Sequence, residues 1–400
     1  MITIAGGIYY EQCMCPMWQE LFGSGGRAAT AIARLGGAAK LHTYADPKAE
    51  SILRQRAALE GFDVDVQRIN QSLNFRYTHG LSKPAIHPSP RASEPLQVDA
   101  ENVVRFGFLE GDCIVNAQRA VYDPQSSRDP LSFHHNGSKA KHLALILNRS
   151  EAEALHGSAE LSSADLACAL AQSQNAEIVI IKMGPAGALL YSEEMTHFIP
   201  SFVTPRVWKI GSGDVFVASF AYFWLELNHS PLVAATQASR ATAYYCETMG
   251  FGSKAELEHY TPVAATSPLP PRQAPLVYLA GPFFSLGQLW VVEEIRALLL
   301  EMGLRVFSPV HDVGYGPAEE VVQKDLDAVH ECDLMLAIGD GLDAGTIYEI
   351  GYARALKKPV VLYVENESEE DQKMMAGSGC IISKDFVTSI YQTYWQTTTL

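Results

Sequence analysis

Short apolar runs alternate along the chain with longer segments whose apolar positions recur at helical spacing. Before residue 260 the short runs are MITIAGG, AKLHTYAD, DCIVNA, HLALILN and AEIVIIKMG; after residue 275 they are LVYLAGP, LRVFSPV, CDLMLAIGD and KPVVLYVE. Runs of this length predict buried strands. The intervening GGRAATAIARLGG, QLWVVEEIRALLLEMG and GTIYEIGYARALKK predict helices. Strand–helix alternation on both sides predicts two α/β domains, each a mostly parallel sheet covered by helices. Ligands in such sheets bind beyond the carboxyl ends of strands, so the loops there are where chemistry is sought.

The pattern breaks at TPVAATSPLPPRQAP, residues 261–275, where five prolines oppose both helix and sheet. This divides the 400 residues into a first domain at 1–260, a linker at 261–275 and a second domain at 276–400. The acidic ENESEED, residues 365–371, predicts a solvated loop. A hydrophobic content of 48% is enough for two cores. The net charge of -15 and the lack of a basic stripe exclude a nucleic-acid polymer as partner, while leaving a small nucleoside or nucleotide possible. MITIAGGIYY has no basic n-region, so no signal peptide is expected, and no apolar run is long enough for a membrane span. The seven cysteines are scattered, and Cys13 and Cys15 read as ordinary thiols, so a cytoplasmic setting is expected.

One residue disturbs the helical pattern of the second domain. In DAGTIYEIGYARA, residues 343–355, Glu349 falls on the apolar stripe formed with Ile347, Ile350, Ala353 and Leu356. A carboxylate placed there needs a partner or a chemical use. Asp343 is the expected N-cap, and Gly345 is expected to allow the tight turn into the helix. Asp325 lies on a predicted helix that leads into CDLMLAIGD. A carboxylate near an anomeric carbon can form a glycosyl ester, while a second carboxylic acid, Asp343 or Asp325, protonates or hydrogen-bonds the leaving base.

These motifs make residues 275–395 resemble the nucleoside 2-deoxyribosyltransferase family. VYLAGPFF (277–284) is similar to its opening strand and loop, and DAGTIYEIGYA (343–353) to its D-x-G-T-x-x-E-x-G-x-A signature. The resemblance implies that Glu349 is the nucleophile, that Asp343 and Asp325 engage the base, and that Tyr278 orients the nucleophile. It implies substrate-binding roles for Gly281, Pro282, Phe283 and Gly345. Lys373, in DQKMM, stands where the family often has an Asn that a neighbouring subunit supplies, and a lysine suits a 5′-phosphate. A homo-oligomer is implied because the family completes its sites across subunits. No cofactor is implied for the glycosidic chemistry. Hydrolysis and base exchange share the first half-reaction, and both remain open.

In the first domain, Gly211, Ser212, Gly213 and Asp214 precede a long apolar helix. Small residues and a helix N-terminus favour an anion, and Asp214 is placed to take a proton from a hydroxyl. GSGGRAATAIARLGG, VYDPQ, NRSE, IIKMGPAGALL and GSGD occur in the order that resembles the ribokinase-like, PfkB-type carbohydrate and nucleoside kinases. The resemblance implies a ribokinase-like α/β sandwich followed by a flavodoxin-like, Rossmann-like parallel sheet. It makes Asp214 the base, Gly211, Ser212 and Gly213 the anion hole, and Asn148 and Glu151 the motif linked to magnesium and phosphate. ATP and Mg2+ are implied if this domain is active. The departures are Trp208 and Lys209 in place of Asp-Thr, Thr30 in place of a sugar-binding Asn, and no early Asp unless Glu11 serves. The segment before Gly25 also leaves little room for a lid. FHHNGSKAKH, residues 133–142, has no i, i+4 histidine pair and predicts a solvated loop and no metal.

The expected activity is therefore N-glycosidic bond cleavage or (deoxy)ribosyl transfer on a nucleoside or nucleotide, joined to a kinase-type domain for a sugar or nucleoside. Two rivals use the same residues: a non-catalytic nucleotide-binding or regulatory protein, and a kinase with an appended specificity domain.

Overall fold

The computed structural model describes residues 1–126, 128–265 and 274–398. They divide into two compact units, Met1–Thr204 with Trp208–Ala264, and Pro205–Val207 with Ala265–Leu400. Most of the proline-rich segment, 266–273, lies outside the described residues. Its beginning is not a free linker. Val263–Ala264 pairs antiparallel with Phe202–Val203, because Val263 and Ala264 follow Pro262 and keep their N–H groups for pairing.

The first unit is built on a nine-stranded sheet. Its order is Met195–Ile199, Ala188–Ser192, Ile178–Lys182, Lys139–Asn148, Cys113–Asp123, Leu96–Phe106, Ile2–Ala5, Ala39–Ala45 and Asp63–Arg68. The last seven are parallel, and the first two form an antiparallel edge. The strands are apolar where both faces are covered: Ile178, Val179, Ile180 and Ile181 are each fully buried, whereas the first halves of Leu96–Phe106, Cys113–Asp123 and Lys139–Asn148 alternate with exposed polar residues. One core cluster lies beneath helices Gly23–Arg34 and Ser212–Ala221, and a second lies beneath Ser163–Ser173.

A separate four-stranded sheet forms even though the segment before Gly25 leaves little room for a lid. Its order is Trp18–Leu21, Tyr10–Cys15, Asn74–His79 and Ala85–His87. The segment before Gly25 supplies only one hairpin. A distant stretch adds the rest by parallel pairing, Tyr10 with Asn74 and Cys13 with Tyr77. The chain thus assembles this sheet from two places in the sequence. Residues 133–142 are also more than a solvated loop. Phe133 and Ser138 are buried, and His135 Nε2 and Asn136 Nδ2 lie 3.0 and 2.8 Å from Asp112 Oδ2, while buried Arg105 pairs with Asp112 Oδ1 at 2.7 Å. Among the described residues no His, Cys, Asp and Glu grouping is suited to hold a metal.

The second unit is a five-stranded parallel sheet in the order Arg305–Phe307, Leu276–Ala280, Leu334–Ile338, Val360–Tyr363 and Ile381–Ser383. This 2-1-3-4-5 order reverses direction between Leu276–Ala280 and Leu334–Ile338, which is where a ligand crevice opens in such sheets. The first strand leads to Gly281, Pro282 and Phe283, and then to helix Leu286–Glu301, opened by a Ser285/Gln288 capping box. The next strand leads to helix Ala344–Ala355, which carries Glu349. Strand Ile381–Ser383 and helix Phe386–Thr397 complete the unit. No helix among the described residues is long and apolar enough to cross a membrane.

Candidate active sites

In the second unit the structure brings Tyr278, Asp325, Asp343 and Glu349 together at the reversal point of the sheet. Tyr278 sits in the middle of its strand, fully buried, with its ring stacked on Phe307 at 5.4 Å. Its hydroxyl donates to Glu349 Oε1 at 2.7 Å. This bond holds the carboxylate that broke the apolar stripe. No cation pairs with Glu349 among the described residues. Burial pushes its carboxyl up to about 7; the Tyr278 hydrogen bond opposes this, and the charges of Asp325 and Asp343 add to it. Burial likewise raises the carboxyl of Asp325, whose Oδ1 is buried without a hydrogen-bond partner. Two carboxyls that burial raises, Glu349 and Asp325, thus lie within electrostatic reach of one another.

Asp343 does cap its helix: its Oδ2 accepts from the Thr346 backbone N–H at 2.8 Å and from the Thr346 hydroxyl at 3.0 Å. Gly345 does not make the tight turn expected of it. Gly341, with φ +85°, and Leu342, with φ +46°, make that turn, while Gly345 lies inside the helix. A Cβ on Gly345 would sit 3.1 Å from Asp343 Oδ2, so the glycine keeps space beside the cap. Phe283 packs edge-on against Tyr315 at 5.6 Å. Lys373 is not brought into the cluster: its ammonium is exposed and pairs with Glu370 at 2.9 Å.

In the first unit, Gly211 takes φ +77° at the start of helix Ser212–Ala221. A Cβ there would lie 2.0 Å from the Arg27 guanidinium, so both the backbone and the space demand glycine. Arg27 is fully buried. It donates to Asp214 Oδ2 at 2.8 Å, to both oxygens of Glu11, and through Nε to Tyr245 Oη at 3.2 Å. Gln125 Nε2 donates to Asp214 Oδ1 at 2.7 Å. Both oxygens of the expected base are therefore engaged. Glu11 does reach this site, as one sequence alternative required; burial raises its carboxyl while Arg27 pulls it down.

The expected anion hole is altered. The Ser212 N–H donates to the Lys209 carbonyl at 3.1 Å, and the Lys209 ammonium donates to Ser212 Oγ at 2.8 Å. Burial lowers the Lys209 ammonium below its ordinary value. A Cβ on Gly213 would lie 3.5 Å from Lys182 Nζ, which pairs with Asp123 at 2.9 Å. Two ammonium groups beside a helix N-terminus fit a phosphoryl group. Asn148 and Glu151 hold one another at the start of helix Arg149–His156. Asn148 Oδ1 accepts from the Glu151 N–H at 2.9 Å, and Glu151 Oε2 accepts from the Asn148 N–H at 2.8 Å, which is a capping box. Thr30 turns away to Glu60 Oε2 at 2.5 Å. A cavity of about 790 Å3 opens over Glu11, Gln125, Lys209, Gly211, Gly213 and Asp214. Arg27 and Gln125 are the residues that sequence reasoning missed. Their visible signals were the arginine after the double glycine and the VYDPQ run that ends at Gln125.

Residues 277–382 match the family model described as nucleoside 2-deoxyribosyltransferase, and residues 119–256 match that of the pfkB family carbohydrate kinases. The chain therefore joins a ribokinase-like, PfkB-type part to a nucleoside 2-deoxyribosyltransferase-like part, which marks it as an enzyme with kinase-type and transferase-type units. Its first unit shares the fold of a fructokinase from Vibrio cholerae O395 solved with fructose, ADP and calcium ion. That match has 15% identity and a TM-score of 0.51, and covers 64% of this chain and 97% of that one. A Burkholderia thailandensis nucleoside kinase solved with inosine matches with 18% identity and a TM-score of 0.50, over 66% of this chain and 99% of that one. No curated protein matches the chain.

Proposed function

We propose that the second unit cleaves the N-glycosidic bond of a nucleoside or nucleotide through a glycosyl ester on Glu349. The 2.7 Å hydrogen bond from Tyr278 to Glu349 carries this reading, since it fixes the carboxylate at the reversal point of the sheet. The Glu349 oxygen attacks the anomeric carbon as the carbon–nitrogen bond breaks and its electron pair leaves with the base. Asp325, whose carboxyl is raised by burial, gives its proton to the departing base. Water or a second base then attacks the same carbon and gives up a proton to Asp325, and Glu349 leaves as a carboxylate. Asp343 steadies the helix and adds negative charge that holds up the carboxyl of Glu349. The exposed Phe284, Leu286, Tyr315 and Tyr348 support a homo-oligomer that covers this rim.

The test is base release over nucleosides, deoxynucleosides and their monophosphates. Glu349→Ala is expected to lower release by about a thousandfold or more. Equal release by wild type and variant overturns the nucleophile. A preference for monophosphates would bring Lys373 into the reading.

In the first unit we propose a kinase-type site that holds a hydroxylated ligand against Glu11 and Asp214. When ATP is bound, it supplies the phosphoryl group, and Lys209 and Lys182 are the residues placed to hold it. One observation favours a second reading, in which this unit binds its ligand without phosphorylating it. Arg27 occupies one oxygen of Asp214 and Gln125 the other, so both oxygens of the proposed base are already engaged. ATP turnover with sugars and nucleosides, compared with Asp214→Asn, separates the two. Turnover abolished by the substitution supports the kinase, and binding without turnover supports the second reading.

A further inference from the structure

The cavity of the first unit sets rings beside carboxylates. Glu11 and Asp214 share its wall with Tyr9, Phe75, Tyr77, Phe108 and Tyr122, and Arg105, Asp112 and His135 line it too. The four-stranded sheet brings a carboxylate and rings into one row. Phe75 and Tyr77 are two residues apart on strand Asn74–His79, so they share a face. The pairing sets Glu11 beside Phe75, and Phe75 beside Ile86, so one row across the sheet runs from carboxylate to ring to aliphatic side chain. Arg76 and Thr78, on the other face, are exposed. The Tyr9 ring stacks on Phe75 at 4.7 Å, which fixes the platform.

Ring faces such as those of Phe75 and Phe108 offer a hydroxyl no partner, so a ligand hydroxylated over its whole surface leaves them poorly matched. A ligand that joins a polyol to a flat ring uses both the carboxylates and the rings. We propose that this cavity takes a nucleoside in preference to a free sugar. The ribose hydroxyls donate to Glu11 and Asp214, and the base lies against Phe75, Tyr77 and Phe108. The proposal rests on the reading of the first unit as a ligand-binding, kinase-type site, and it holds whether or not phosphate is transferred. Both units then act on the same class of molecule.

The experiment uses the full chain carrying Glu349→Ala, so that probes are not consumed by base release. Inosine, thymidine, ribose and fructose are titrated calorimetrically, and the titrations are repeated with Phe75→Ala and Tyr77→Ala added. At least one nucleoside is expected to bind ten times or more tighter than either sugar. Each ring removed is expected to weaken that binding by about tenfold. Tyr77→Phe is expected to retain it, which controls for folding. Nucleoside bound only in the second unit is insensitive to residues 75 and 77. The proposal is overturned if ribose or fructose binds as tightly as the nucleosides, or if no nucleoside binding responds to Phe75→Ala and Tyr77→Ala. ATP turnover is measured in parallel. Nucleoside binding without turnover removes the phosphoryl-transfer reading and leaves this one standing.

Discussion

Glu349 and Asp214 stand in similar places and in opposite electrostatic surroundings. Each lies on a helix, Asp214 in the first turn of Ser212–Ala221 and Glu349 in the second turn of Ala344–Ala355. Glu349 has a neutral hydroxyl for a partner and two further carboxylates nearby, and burial pushes it up to about 7. Asp214 has a buried guanidinium at 2.8 Å that is shared with Glu11. The first arrangement keeps a carboxylate costly to ionise and therefore reactive once ionised. The second ties both oxygens of a carboxylate, one to the guanidinium and one to Gln125. Similar placement in a fold thus comes with different neighbours, which is why the two carboxylates are proposed for different roles.

The sharpest way to break this comparison is to remove the guanidinium. Arg27→Met leaves Glu11 and Asp214 buried without their cation, and is expected to destabilise the first unit by about 3–5 kcal/mol. Chemical denaturation of the full chain measures this, and a change under 1 kcal/mol would mean that the triad behaves like a surface ion pair. In the second unit, Asp325→Asn removes the proposed acid and is expected to slow base release by about a hundredfold. Substrates whose bases leave without protonation should be affected least.

Glu349→Gln tests the cost of burying the charge. The unfolded chain ionises Glu349 near the ordinary value, whereas the folded chain holds its proton up to about 7. Wild type therefore loses stability as pH rises between those two values, and the loss is complete above the folded one. The glutamine variant is expected to be more stable than wild type by about 1–3 kcal/mol at pH ~8, with the gain vanishing near pH ~4. Melting curves at the two pH values read this directly. Tyr278→Phe should have the smallest effect. Without its hydroxyl the carboxyl of Glu349 rises further, so the acidic limb of the base-release profile moves to higher pH and the rate at neutral pH falls by about tenfold.

The contrast between the units also marks what the sequence could disclose. The parallel strands were legible because their apolar runs, such as IVII at 178–181, have no other use than burial. Glu349 was legible because a charge on an apolar stripe is a local contradiction. Arg27 was not, because an arginine near a helix start reads as an ordinary surface residue until the fold encloses it. The four-stranded sheet escaped notice because its strands mix polar and half-buried positions and pair across a long gap in the chain. The capping role of Asn148 and Glu151 follows from their spacing of three, an N-cap and its N3 partner. Gly345 was assigned the turn that Gly341 and Leu342 make one step earlier, a displacement that propensity alone does not resolve.

The central claim is that Glu349 becomes covalently bonded to the sugar. A 2-fluoro-substituted nucleoside slows the second step more than the first, so the ester should accumulate. Mass spectrometry of the digested full chain is expected to show the fluorosugar mass on the peptide containing Glu349, and to show none in Glu349→Ala. Release of the base with no adduct on that peptide, or an adduct on another carboxylate such as Asp325, would contradict the account.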